Sequence, residues 1–141
     1  MLELSASEDQ LARLRLIRSD NIGPVTYFQL LARFGSASAA IDAIPDLAAR
    51  GGGRAPRLVA RAAIEREVEQ VAKLGARYLF LGQGLYPPLL AEVETAPPAL
   101  IVSGHLSLLD KPVIAIVGAR NASAAACRFA RMLAQDLGEA A

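Results

Sequence analysis

The stretch from Pro112 to Ser123, Pro-Val-Ile-Ala-Ile-Val-Gly-Ala-Arg-Asn-Ala-Ser, narrows the possible folds further than any other part of the chain. Val113 to Gly118 is continuous, β-branched and uncharged, the pattern of a strand buried on both faces. Gly118 permits a tight turn, and Ser123 is a natural cap for the helix that follows. That helix carries Ala126, Phe129, Ala130, Leu133 and Leu137 at helical spacing on one face. A strand, a glycine turn and a helix N-terminus together form an anion site, because free backbone amides and the helix dipole converge there. Arg120 stands in the mouth of the turn. The pattern predicts a phosphate held by Gly118, Arg120 and Ser123; the alternative is a structural turn with a solvated arginine.

The spacing excludes the common nucleotide fingerprints. A dinucleotide site needs Gly-x-Gly-x-x-Gly, whose second glycine lets the backbone touch a pyrophosphate. Here the second position is Arg120 and the third is Ser123. No Lys-Ser or Lys-Thr pair follows, so the turn is not a P-loop. NAD, FAD and ATP fit poorly, and no cofactor is predicted. A guanidinium aimed at a phosphodiester, with amides and a serine hydroxyl beside it, fits better.

The chain has 141 residues, 53% of them hydrophobic, and a net charge of +1, which gives no global attraction to nucleic acid. Any basic surface must be local. Thirteen of the fifteen basic residues are arginine, a bias suited to bidentate phosphate contacts. Cys127 is the single cysteine, which rules out an intrachain disulfide and points to a reducing compartment; its place on the last helix predicts a buried, inert thiol. Glu3, Glu8 and Asp9 argue against a secretory signal, and no apolar run approaches a membrane span. A cytoplasmic protein is expected. His105 has no ligand cluster around it, and Glu92 and Glu94 have no partner for acid–base work, so neither a metal site nor a catalytic residue is predicted.

Two modules follow from the patterning. In the first, Ser7-x-x-Gln10 is a capping box that opens a helix with Leu11, Leu14 and Ile17 inward. Asn21-Ile22-Gly23-Pro24 turns the chain, and Val25, Phe28, Leu31 and Phe34 form the next stripe. Gly35 stops that helix, and Ser36 starts another that holds Ile41 and Ile44 before Pro45. After Gly51-Gly52-Gly53, a long helix is expected from Pro56 to Leu74. The second module is α/β. Tyr78–Leu81 and Leu100–Val102 read as short strands, joined to Val113–Val117 in a largely parallel sheet. Gly138 ends the last helix where a further strand should begin. A doubly wound sheet cannot finish there, which predicts an N-terminal part of a longer protein.

Four segments in order carry a family resemblance. They are Leu14 to Ile22 followed by Gly23-Pro24 and Leu30 to Ser36, then Tyr86-Pro87-Pro88-Leu89-Leu90, Ala96-Pro97-Pro98 through Gly104-His105, and Val113 to Ser123. This ladder resembles the DNA-processing protein A (DprA, or Smf) family, which reads YPxxL, PPxLxxxG, then VAIVGxRxxS. The resemblance implies an α+α/β fold. Residues 1–72 form a helical, sterile-alpha-motif-like (helix-hairpin-helix-like) domain, and 73–141 form the first, incomplete part of a Rossmann-like parallel α/β domain. It also implies a non-enzymatic, single-stranded-DNA-binding protein that protects incoming DNA in natural transformation. Its implied partners are single-stranded DNA, the recombinase RecA, and a second copy joined through the completed Rossmann-like domain. Family members continue with further strands and often a winged helix. They usually place a glycine shortly after the motif serine, where this chain has Ala124, Ala125 and Ala126.

The sequence offers two further candidate DNA contacts. Asp20 to Pro24 occupies the place of a helix-hairpin-helix turn, in which Asn21 tolerates a left-handed backbone; Asp20 and Pro24 both weaken phosphate binding there, which favours a packing hairpin. Arg54, Arg57 and Arg61 can share one face of the expected helix from Pro56 and its approach, as a guide for single-stranded DNA or as a solvated face. Base stacking would fall to Tyr86 or to a further segment. The competing reading is a nucleotide-processing enzyme on a related fold, of the nucleoside monophosphate phosphoribohydrolase type. It would require a Pro-Gly-Gly-x-Gly-Thr and glutamate constellation further on.

Overall fold

Ser7 caps the first helix, α1 (Glu8–Arg18), through the capping box: its hydroxyl accepts from the Gln10 amide, and the Gln10 side chain accepts from the Ser7 amide. The computed structural model describes residues 6–51 and 56–140, in two units, Met1–Asp110 and Lys111–Ala141. In the first unit α1 is followed by α2 (Pro24–Phe34), α3 (Ala37–Gly51), α4 (Arg61–Lys73), strand β1 (Arg77–Phe80), a one-turn helix α5 (Pro88–Ala91), strand β2 (Ala99–Val102) and a 3-10 turn, Leu106–Asp110. The second unit holds α6 (Ala124–Glu139).

α1 is buried on two sides. Leu16 joins Ile22, Tyr27, Ala37, Ala40, Ile41 and Ile44 in a core shared with α2 and α3. Leu11 and Leu14 pack instead with Ile64 of α4 and Phe80 of β1. Leu11 and Leu14 lie inward as the spacing predicts, while Leu16 adds a second buried face. In α2 the anchor is Tyr27, buried against the edge of Phe28, whereas Val25 is 54% exposed. α3 runs on through Pro45 to Gly51 instead of ending before the proline. Pro45 lies on the exposed side of α3, where its ring displaces no core side chain, although it supplies no amide to the Ile41 carbonyl.

α4 begins at Arg61, five residues later than expected, because residues 57–59 are used elsewhere. The Asp20 amide donates to Arg57 O (3.3 Å), the Val59 amide donates to Ser19 Oγ (3.1 Å), and Arg15 Nε donates to Val59 O (3.1 Å). Ser19 Oγ in turn donates to Arg15 O (2.7 Å). The segment is strapped across the C-terminal end of α1, and its backbone groups are unavailable to a helix.

β1 and β2 pair antiparallel, Arg77 opposite Val102 and Phe80 opposite Ala99. The parallel expectation for these two segments is corrected. Their connection turns the chain back on itself, whereas a parallel pair needs a crossover. The Leu81 amide extends the pairing to Pro98 O (3.0 Å), and Tyr86 Oη donates to Pro97 O (2.8 Å), tying the two proline-rich loops together. Val113–Val117, expected as a doubly buried strand, has no pairing partner among the described residues; Val113 and Val117 are 73% and 91% exposed. Among the described residues, its unit contains the helix α6 and no strand. α6 runs through Gly138 to Glu139.

An ionic network joins α1, α4 and β1. Arg18 grips Glu67 with Nη2 (2.8 Å) and Nε (3.1 Å), and Tyr78 Oη donates to the same carboxylate (2.7 Å). The bonds from Arg18, aided by Tyr78 and opposed by burial, hold the Glu67 carboxyl below its usual range. Burial, then the bond to Glu67, pushes the Tyr78 phenol up.

Two predictions follow from this packing. Leu14→Ala, at a fully buried position, should cost about 2–5 kcal/mol in urea denaturation; a loss below about 1 kcal/mol would show that α1 is not the common core element. The Glu67 carboxyl titrates lower in the folded than in the unfolded chain. Its stabilisation is therefore present above the ordinary carboxylate range and is lost as the pH falls through the lowered folded value. Glu67→Gln should flatten the fall of Tm with acidification over that range, and an unchanged acid profile would place the network's contribution elsewhere.

Candidate nucleic-acid interface

Local geometry at the 118–123 turn follows from Ser123. Its backbone is extended (φ −63°, ψ 157°), its hydroxyl accepts from the Ala126 amide (3.2 Å), and its carbonyl accepts from the Cys127 amide (3.0 Å). This satisfies two of the first amides of α6. The amides of Ala124 and Ala125 have no protein acceptor among the described residues. The Ser123 hydroxyl proton also remains available to donate. Gly118, Arg120 and Ser123 are all exposed and lie on one short connection, with Arg120 at the turn itself. A Cβ placed on Gly118 would meet nothing within 4 Å, so packing within the chain does not require glycine there. Residues 114–119 and α6 border an apolar groove of about 720 Å³, lined among others by Ile114, Ile116, Phe129 and Leu133, with Gly118 and Ser123 on its wall.

The secondary arginines separate. Arg54 lies outside the described residues. Arg57 is exposed on the strap before α4, so it does not share a helix face with Arg61. Arg61 donates to both carboxylate oxygens of Glu8 (2.6 and 2.5 Å) and to Glu65 (2.7 Å). These bonds, Glu8 first, hold its pKa above the ordinary arginine value. Arg61 can meet a phosphate only in competition with two carboxylates.

The Asp20–Pro24 hairpin takes the expected form: Asn21 has φ 61°, Gly23 caps α2 and Pro24 is its first residue. Ile22 is buried in the core, which ties the hairpin to packing. Tyr86 is 7% exposed, with its hydroxyl on Pro97, so it offers no stacking face. Cys127 is exposed, contrary to the buried thiol expected. His105 is exposed. Among the described residues no group of His, Cys, Asp and Glu could hold a metal ion, and no helix is long and apolar enough to cross a membrane.

Residues 7–70 match the model of the DprA-like N-terminal HHH domain. Residues 77–141 match that of DNA recombination-mediator protein A. A comparison with curated protein sequences finds no match. The two family matches follow one another in family order, and the chain belongs to the DNA-processing protein A family. Membership carries a DNA-processing role in recombination.

Ser123→Ala removes the cap of α6 and should cost about 1 kcal/mol of local stability. Faster hydrogen exchange at the Ala126 and Cys127 amides would register the loss. Unchanged exchange would mean that the cap does not order the turn.

Proposed function

We propose that this protein binds single-stranded DNA through its phosphate backbone at the 118–123 turn, protects incoming DNA, and helps load RecA during natural transformation and recombination. The observation that carries this reading is the presence, within one short exposed segment, of the open Ala124 and Ala125 amides, the Ser123 hydroxyl and the exposed Arg120. All four are donors, and a phosphodiester oxygen is the acceptor they fit. Gly118 leaves space for a backbone to approach. Such contacts carry no base identity, so binding is independent of sequence. The reading is non-catalytic: the turn positions a strand and supplies no nucleophile or paired carboxylates.

The same proposal assigns residues 1–72 to the helical domain and 73–141 to part of a Rossmann-like domain through which two copies pair, in the cytoplasm. Among the secondary contacts, Arg57 is available to DNA, while Arg61 must first leave Glu8 and Glu65.

Arg120→Ala tests the site. Anisotropy titrations with oligonucleotides of unrelated sequence should show a loss on the order of 1 kcal/mol or more, about fivefold or more in Kd. The salt dependence should lose about 0.7 units of log–log slope, one single-strand phosphate. Unchanged affinity and slope in a folded variant would remove the turn from the DNA interface.

A further inference from the structure

α1 and α6 carry their charges in opposite order. α1 has Glu8 and Asp9 in its first turn and Arg15 and Arg18 in its last, the arrangement that a helix dipole favours. α6 has no acid in its first turn and no base in its last. Arg128 and Arg131 lie in its N-terminal half, and Asp136 and Glu139 lie toward its C-terminal end. The positive end of the dipole and the two guanidiniums therefore reinforce each other. This order disfavours the isolated helix, so intrahelical stability does not account for it.

Helical spacing puts Ala124, Arg128, Arg131 and Gln135 on one stripe, across the helix from Ala130, Leu133 and Leu137. The latter three are half-buried, while both arginines are exposed. Arg13, Arg18 and Arg61 are each paired with a carboxylate. Among the described residues, neither Arg128 nor Arg131 has an acidic group within ion-pair distance. Of the acids on α6, Glu139 accepts from Gln135 Nε2 (2.9 Å). The two arginines form a short cationic row that starts one turn beyond Ser123, and three-residue spacing sets their Cβ atoms about 5–6 Å apart.

We infer that Arg128 and Arg131 hold successive phosphates of a single-stranded nucleic acid whose backbone enters at the 118–123 turn, which extends the site along the outer face of α6. This rests on the single-stranded-DNA reading above. The phosphate at the turn is met by fixed amides and Arg120; those beyond it are met by two long, mobile guanidiniums. The extension therefore adds affinity and strand length without base preference.

The test compares the wild-type protein, Arg120→Ala, Arg128→Gln with Arg131→Gln, and Arg128→Lys with Arg131→Lys. Each is titrated with a short and a longer oligo-dT over a range of salt. The double glutamine variant should lose about 1.4 units of log–log salt slope, two phosphates at about 0.7 each. It should also lose the affinity gained from the longer strand, with an unchanged helical circular dichroism spectrum and a Tm equal to or above wild type. The double lysine variant should keep the slope. If the glutamine variant keeps both slope and length dependence while Arg120→Ala weakens binding, the stripe is overturned and the turn stands. If the wild-type protein binds neither oligonucleotide, the single-stranded-DNA reading falls, and the stripe falls with it.

Discussion

Burial of α1 on two sides is the constraint from which the described part of residues 1–110 follows. One side of this helix, through Leu16, closes a core with α2 and α3; the other, through Leu11 and Leu14, closes one with Ile64 and Phe80. A helix with one apolar face could have served either core alone. Because α1 serves both, the β1–β2 pair is packed onto the helical layer, and Phe80 is as much part of the helical core as Ile64 is. The Arg18–Glu67–Tyr78 network crosses the same junction and sets the approach of α1, α4 and β1. The half-exposed Arg18 adds orientation more than energy, whereas the apolar contacts carry most of the stability.

The strap at residues 57–59 shows how tertiary bonding displaces a local preference. Three backbone or side-chain bonds to α1 and its end draw this segment away from the helix that its sequence allows. The shift has a functional consequence, because it removes the common helix face on which Arg57 and Arg61 could have acted together. Arg61 is then held by Glu65, which helical spacing supplies, and by Glu8, which only the packing of α1 beside α4 brings to the same guanidinium.

The 118–123 turn is built almost wholly by local chemistry. Ser123 caps α6, two amides stay open, and Arg120 is exposed, none of which needs a distant residue. Family membership places this turn in a DNA recombination-mediator domain. The reversed charge order of α6 was equally present in the sequence. It passes unnoticed when arginines are counted as runs, and emerges when each is set against its helix's dipole.

The sequence by itself determined the local grammar: the Ser7–Gln10 box, the left-handed Asn21 before Gly23-Pro24, the Gly35 stop, the cap at Ser123, and the order of motifs that marks the family. Each depends on residues a few positions apart, whose chemistry has one good local solution. Tertiary structure decided the rest. It chose Tyr27 over Val25 as the α2 anchor, carried α3 through Pro45, and delayed α4 to Arg61. It also turned β1 and β2 antiparallel, buried Tyr86 and exposed Cys127. These outcomes depend on which surfaces meet and which backbone groups find partners far along the chain, and periodicity within one segment does not encode either.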